Sequence, residues 1–185
     1  MDNIQIANLA LIGLGCEPIS SFDEGTTEAT VMSATFDALL NATLSGYPWR
    51  FCTVSEDIAR LNAETKSGFK YVYQLPNNFL RAIGLIDHGE DADFGIVGNT
   101  LVTDAEAPTL TYTAKVTAEQ LPDYFIEVFV DKLQAKNAIA LTGDKNLAVY
   151  FQRCFDSDSV IARSRDAQQA TSQVFTNDIL LDCRK

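Results

Sequence analysis

The spacing of apolar residues at the start of the chain predicts two amphipathic helices. The first is predicted over residues 3–14, with an apolar stripe made of Ile4, Ala7, Leu11 and Leu14. Glycines and Pro18 follow it, and neither residue type continues a helix easily. The second is predicted over residues 26–45, ends before Gly46 and carries the apolar stripe Val31, Ala34, Ala38, Leu39 and Ala42.

From Trp49 onward, the spacing changes to the two-residue alternation that is typical of β-strands. Strands rich in aromatic and β-branched residues are predicted over 69–73, 82–86, 94–97, 100–102 and 110–116. Gly98-Asn99, between the third and fourth of these strands, is a dipeptide that favours a tight hairpin turn. The middle third of the chain therefore predicts a small, mostly antiparallel sheet.

Helical spacing returns in the last third of the chain. A helix over residues 122–142 begins near Pro122, ends at Gly143 and carries the stripe Phe125, Val128, Phe129, Leu133 and Ala140. Another over residues 145–169 carries Leu147, Tyr150, Phe151 and Cys154 on one side. The remaining residues, 171–185, are too few and too mixed in character to fold alone.

Together these elements predict an α+β fold. We expect an antiparallel four-helix bundle formed by residues 1–48 and 118–170, since helices with apolar stripes pack most simply against each other. Residues 49–117 form an inserted small antiparallel β-sheet in this prediction. Residues 171–185 form an extended C-terminal tail.

The composition narrows the classes of function. The net charge of −11 opposes non-specific binding of nucleic acid, which depends on lysine and arginine. No apolar run approaches the roughly 18 residues needed to cross a membrane, and the N-terminal segment has no basic cluster, so neither a membrane span nor a signal peptide is expected. The four cysteines are far apart in the sequence, and no two of them form a CxxC motif. This spacing favours reduced thiols over disulfide bonds or a zinc site.

Candidate catalytic chemistry is sparse in the sequence. The single histidine, His88, lies among carboxylates in Asp87–Asp93, but the spacing does not match a calcium loop, and a solvated hairpin tip needs the same residues. Gly13-Leu14-Gly15 follows a helix and so lacks the context of a dinucleotide loop. The aromatic residues of 69–73 could stack on bases, although filling one side of a sheet is the favoured interpretation. We therefore assign no catalytic, metal or cofactor residue.

Several short motifs resemble, in order, the phage tail tubular protein A family of head-to-tail adaptors. They are Ile12–Gly15 followed by Glu17–Ser21, then Tyr47–Phe51 with the only tryptophan, Leu75–Arg81, Leu121–Phe125 and Leu141–Asp144. Asn78 stands where that family commonly has an acid. The similarity extends over residues 3–169, and adaptors of gene transfer agents look alike in these motifs. For Tyr47–Phe51 taken alone, packing of aromatic side chains is a sufficient explanation.

The resemblance implies a structural protein and not an enzyme. It implies a ring, dodecameric in the family, at the head–tail interface of a virion, made in the host cytoplasm. The ring would lie between the portal protein and the tail nozzle protein and extend the channel for double-stranded DNA, which would pass without specific binding. Family C-terminal tails dock on the portal, and the apolar cluster that we expect to anchor this tail is Ile179, Leu180 and Leu181.

The acidic residues suggest how such a channel could avoid holding DNA. A negatively charged wall repels phosphates, and our candidate channel-lining residues are Asp87, Glu90, Asp91 and Asp93. Solubility alone would also explain an acidic surface. The alternatives to an adaptor are, in order, another phage head-completion or connector protein, a small soluble enzyme and a nucleic-acid-binding module.

Overall fold

A computed structural model describes residues 1–63 and 68–169 of the chain. Its four α-helices are α1 (Asn3–Gly13), α2 (Thr27–Ser45), α3 (Asp123–Thr142) and α4 (Lys145–Ala167). These bounds confirm the four predicted helical segments to within two residues at each end. Capping explains the agreement: the side chains of Asp2, Thr26 and Asp144 accept hydrogen bonds from free N–H groups of the first turns of α1, α2 and α4.

Within the described residues, eight strands form two antiparallel four-stranded sheets. The strands are β1 (Thr53–Asp57), β2 (Arg60–Leu61), β3 (Tyr71–Gln74), β4 (Phe79–Asp87), β5 (Glu90–Asp91), β6 (Phe94–Val97), β7 (Thr100–Thr103) and β8 (Thr109–Ala114). The strand orders are β1-β8-β4-β5 and β2-β3-β7-β6. The five predicted strands are all present, whereas β1, β2 and β5 were not predicted.

Two tight hairpins set the register of the sheet edges. Val97 pairs with Thr100 across Gly98-Asn99, the turn that the sequence predicts, and Gly98 has a positive φ of 61°. Asp87 pairs with Glu90 across a second two-residue turn, in which His88 and Gly89 both have positive φ. Positive φ at both central positions is the geometry of a type I′ turn, which matches the twist of the flanking strands.

The described part of the chain has two hydrophobic cores. The first joins α1, α2 and α3 to the Trp49 segment, and most of its side chains are fully buried. The second lies within the β-sheets and takes residues from both of them, including Tyr73 and Leu101 from one sheet and Leu85, Leu110 and Tyr112 from the other. The two sheets therefore share a core of their own.

The predicted four-helix bundle with a small inserted sheet is wrong. The β region consists of two sheets, not one small sheet, and the helices do not form a closed bundle. α3 is the central helix and packs against α1, α2 and α4, whereas α4 packs mainly against α3. The predicted C-terminal tail, residues 171–185, lies outside the described residues.

The bundle prediction is wrong because α2 and α4 bury a different side from the apolar stripe that the sequence predicts. α2 buries Met32, Phe36, Leu40 and Leu44, while the predicted stripe members Ala34, Ala38 and Ala42 are exposed. α4 buries Ser159, Ala162 and Asp166, and its predicted stripe is half-buried or, at Tyr150, exposed. Each of these helices thus has a second apolar side, which faces solvent.

The Trp49 segment joins the helices to the β region. Trp49 is buried against Phe125, and its indole N–H donates to the carbonyl oxygen of Thr43 at 3.2 Å. The backbone N–H of Arg50 donates to the carboxylate of Asp166, at 3.0 Å to the nearer oxygen, and so ties the segment to α4. This packing agrees with the interpretation of Tyr47–Phe51 as a structural anchor.

Candidate functional site

An open acidic groove lies beside the β4–β5 hairpin. It has a volume of about 360 Å³ and includes all four of the candidate channel-lining residues, Asp87, Glu90, Asp91 and Asp93. A fifth carboxylate, that of Asp104, joins them from the end of β7. The folding of the two sheets thus concentrates acidic side chains that are dispersed over 18 positions of the sequence.

Asp87 differs from the other carboxylates of the groove. It is half-buried and accepts hydrogen bonds from the backbone N–H groups of Glu106 and Ala107, at 3.2 and 3.3 Å. It therefore holds the β7–β8 connection against the end of β4. Glu90, Asp91 and Asp93 are exposed, so they are the groove residues that contribute charge to the surrounding solvent.

Asp104 is the groove residue that the sequence did not identify. It is exposed and accepts a hydrogen bond from the backbone N–H of Lys70 at 2.8 Å. The pairing of Phe94 with Thr103 brings the end of β7 next to the segment that contains Asp91 and Asp93. Only this pairing, and no local sequence signal, places the carboxylate in the groove.

Among residues 1–63 and 68–169, no three histidine, cysteine, aspartate or glutamate side chains are grouped as a metal site would require. His88 lies at the hairpin tip, largely exposed, with its Nε2 atom 3.7 Å from a carboxylate oxygen of Asp87. The groove is thus a concentration of solvated negative charge. Such a surface repels phosphate groups within about one Debye length, roughly 10 Å at moderate salt.

Among the helices of the described residues, α4 has the most exposed large apolar side chains, and these define what we call the α4 outer face. We define it as Val149, Tyr150, Arg153, Val160 and Ile161. The exposed fractions of the four uncharged side chains are 53%, 60%, 64% and 50%, in that order. They form two pairs about 16 Å apart along the helix, on either side of the exposed Arg153, Asp156 and Ser157. A partner that covers both pairs therefore has to extend along the outer side of α4.

The inner side of α4 is held by a buried polar contact. Asp166 is 1% exposed and accepts hydrogen bonds from the N–H of Arg50 and from the hydroxyl of Tyr124, the latter at 2.8 Å. Burial, followed by the hydrogen bond to Asp166, raises the pKa of Tyr124 well above its usual value. The tyrosine therefore stays protonated and continues to donate, which fixes α4 firmly on α3.

A pair of carboxyl groups lies further along the same helix pair. Burial, the neighbouring Asp158 and then Glu127 raise the pKa of Asp131 on α3 to about 6. One oxygen of Asp131 is buried without a hydrogen-bond partner among the described residues. Both observations indicate that the ionised form of Asp131 is disfavoured at the contact between α3 and α4.

The other surface features carry little chemistry. A groove of about 510 Å³ lies between the start of α1 and residues 117–119, and one of about 210 Å³ lies between residues 56–59 and 74–77.

Burial raises the pKa of the Cys52 thiol to about 12, which makes it a poor nucleophile. The predicted tail anchor, Ile179, Leu180 and Leu181, lies outside the described residues.

No protein-family model matches the chain, and a search of the curated proteins finds no match. Within the described residues, no helix combines the length and the apolar character that crossing a membrane would require.

Proposed function

We propose that the chain is a structural subunit of a head-to-tail adaptor in a tailed phage or a phage-like particle. The α4 outer face is the observation that carries this proposal. It gives a small protein a firmly held helix whose large apolar side chains face outward, as expected of a subunit that functions inside an assembly. The sequence motifs, which occur in the same order as in the tail tubular protein A family, suggest that this assembly is a head-to-tail adaptor.

In this proposal, copies of the chain form a ring, dodecameric as in that family, between the portal and the tail nozzle. The acidic groove contributes to the wall of the DNA channel through Glu90, Asp91 and Asp93. Because the groove carries several exposed carboxylates per subunit, a ring would repeat them around the channel. Repulsion of phosphates would let DNA pass without being held.

The segment 171–185 is the proposed contact with the portal. Ile179, Leu180 and Leu181 form a compact apolar cluster between Asp178 and Asp182. Such a cluster can fill a pocket on a partner while the flanking charges stay at the rim. A different head-completion protein, bound to another connector, is the second candidate, because it would need the same kind of exposed helix.

The test combines purified protein with the portal protein encoded in the same genome. Negative-stain images should show rings that cap the portal at its tail-facing end. Leu180→Asp should reduce capture of the portal at least about 30-fold, the change expected when a central anchor of an interface is lost. Asn177→Asp, which adds the same charge outside the cluster, is the control. Absence of any complex with the portal would refute the proposal.

A further inference from the structure

The second apolar sides of α2 and α4 suggest how copies of the chain join. On α4 the outer face carries large side chains, whereas the outward side of α2 carries small ones. We define the α2 outer face as Thr27, Thr30, Ala34, Ala38 and Ala42, all of which are exposed. They recur at spacings of three and four residues, so they form one continuous stripe along the helix. A row of small side chains allows another helix to approach closely, and large side chains can fill the space above it.

The two outer faces point in opposite directions. α3 contacts α2 through Phe129, which packs against Phe36, and through Asn137, which donates to Thr35. It contacts α4 through Tyr124 and Glu127, which bind Asp166 and Arg165. Positions 124, 127 and 131 lie about half a turn from 129 and 137, because successive residues of a helix are about 100° apart. α2 and α4 therefore lie on opposite sides of α3.

Charge distinguishes the two sides as well. Residues 1–48, which contain α1 and α2, have no lysine or arginine and six acidic side chains: Asp2, Glu17, Asp23, Glu24, Glu28 and Asp37. α4 has four basic side chains, Lys145, Arg153, Arg163 and Arg165, and only two acidic ones besides the buried Asp166. In a chain with a net charge of −11, α4 is thus an unusual positive region facing away from an acidic one.

We propose that the α4 outer face of one copy packs against the α2 outer face of the next copy. The occupant of each face is thus a second copy of this chain, in a head-to-tail arrangement. Without the buried Asp166, the charged side chains of α4 are net positive, whereas those of the α1–α2 side are all acidic. The head-to-tail contact therefore brings opposite net charges together, and a two-fold contact of either side with itself brings like net charges together. A contact of this type repeats from copy to copy and closes into a ring when the rotation per subunit allows it.

This inference rests on the proposed ring, and it can fail without the adaptor role failing. Two variants each disable one face. Val160→Asp places a charge at the most exposed apolar position of α4, and Ala38→Arg places a large cation on the small-residue stripe of α2. Both positions are exposed, so the fold of the single subunit should be retained, as far-ultraviolet circular dichroism and thermal unfolding will verify. Val97→Asp, at a comparably exposed apolar position of the β6–β7 hairpin, is the matched control.

Mass measurement by light scattering gives the decisive result. The wild type and Val97→Asp should form oligomers, whereas each face variant alone should have the 20.3 kDa mass of a monomer. Each face variant should weaken self-association at least about 30-fold, as loss of a central interface anchor does. A mixture of the two should form a dimer and nothing larger, because each variant keeps one functional face. If Val160→Asp unfolds, Val149→Asp takes its place.

Three outcomes would overturn the inference: a monomeric wild type, oligomers that persist in either face variant, or a mixture that stays monomeric. Oligomers that persist in Ala38→Arg but not in Val160→Asp would indicate a two-fold contact between two α4 outer faces. Capture of the portal, measured separately with the same variants, shows whether the adaptor role survives. A chain that binds the portal but does not use these faces would refute the subunit contact alone.

Discussion

Removal of the Asp166 carboxylate should loosen α4 and lower the stability of the whole chain. Asp166 is buried and is the shared acceptor for the N–H of Arg50 and the hydroxyl of Tyr124. These two contacts connect the Trp49 segment, α3 and α4. Asp166→Ala deletes both hydrogen bonds and leaves two donors without a partner inside the protein.

The size of the effect follows from the number of hydrogen bonds lost. A hydrogen bond to a charged group contributes about 1.5–3 kcal/mol, and a buried donor left unpaired adds a desolvation cost. We expect Asp166→Ala to lower the free energy of unfolding by about 3–5 kcal/mol, as the loss of two such hydrogen bonds implies. Tyr124→Phe removes only one hydrogen bond and should cost about half of that.

Equilibrium unfolding in urea measures both effects. The signal is the fluorescence of Trp49, the only tryptophan, which is buried close to the mutated contact. Asp156→Ala is the control, because Asp156 lies on the same helix but is exposed, and it should change stability by less than about 0.5 kcal/mol. A loss of under about 1 kcal/mol for Asp166→Ala would contradict the idea that this carboxylate fixes α4.

Three further predictions test other parts of the structure. Because the pKa of Asp131 rises from 3.8 to about 6 on folding, its ionisation removes stability as the pH rises through this range. In denaturant unfolding, Asp131→Asn should therefore have the same free energy of unfolding as the wild type below pH 3.8. Above pH 6 its free energy of unfolding should be higher by about 1 kcal/mol, after allowance for solvent screening. Cys52 should resist iodoacetamide at pH 8 in the native protein and react in denaturant, as mass spectrometry will show; rapid native labelling would mean that it is not buried. Gly143→Ala should lower the melting temperature, since φ is 71° at this helix end and a side chain there costs about 1 kcal/mol; an unchanged melting temperature would argue against the left-handed cap.

The helix bounds could be predicted because they depend on local features. Asp2 and Thr26 cap the starts of α1 and α2 with their own side chains, and Gly143 ends α3 in the left-handed conformation. The hairpin at Gly98-Asn99 was equally predictable, because glycine at the first position of a two-residue turn tolerates positive φ. All of these signals lie within a few residues of the element that they define.

The packing of the helices could not be predicted in the same way. α2 has apolar residues on two sides, and the sequence does not reveal that Met32 and Phe36 face the core while Ala34 and Ala38 face solvent. The buried side of α4 includes Asp166, a residue type that a search for apolar stripes overlooks. The bundle was predicted because each stripe was assumed to find a partner within the same chain.

Two strands of the β region could not be predicted from the sequence either. β1, with the sequence TVSED, has four exposed residues out of five, so it lacks the alternation that marks a strand with one buried side. β5 has only two residues. Both strands form through pairing with β8 and β4, and the arrival of Asp104 in the acidic groove is likewise a consequence of strand pairing. Contacts between distant segments determine β1 and the position of Asp104, whereas β5 is a local hairpin strand too short to give a sequence pattern.

The central claim, that this chain is a ring-forming adaptor subunit, is tested most directly by electron microscopy of the purified protein together with its portal protein. Class averages viewed down the symmetry axis should show a ring of identical subunits, twelve if the family resemblance holds, on the tail-facing end of the portal. The acidic hairpin of Asp87–Asp93 should lie toward the central channel. Isolated monomers beside uncapped portals, in averages from the same sample, would contradict the claim.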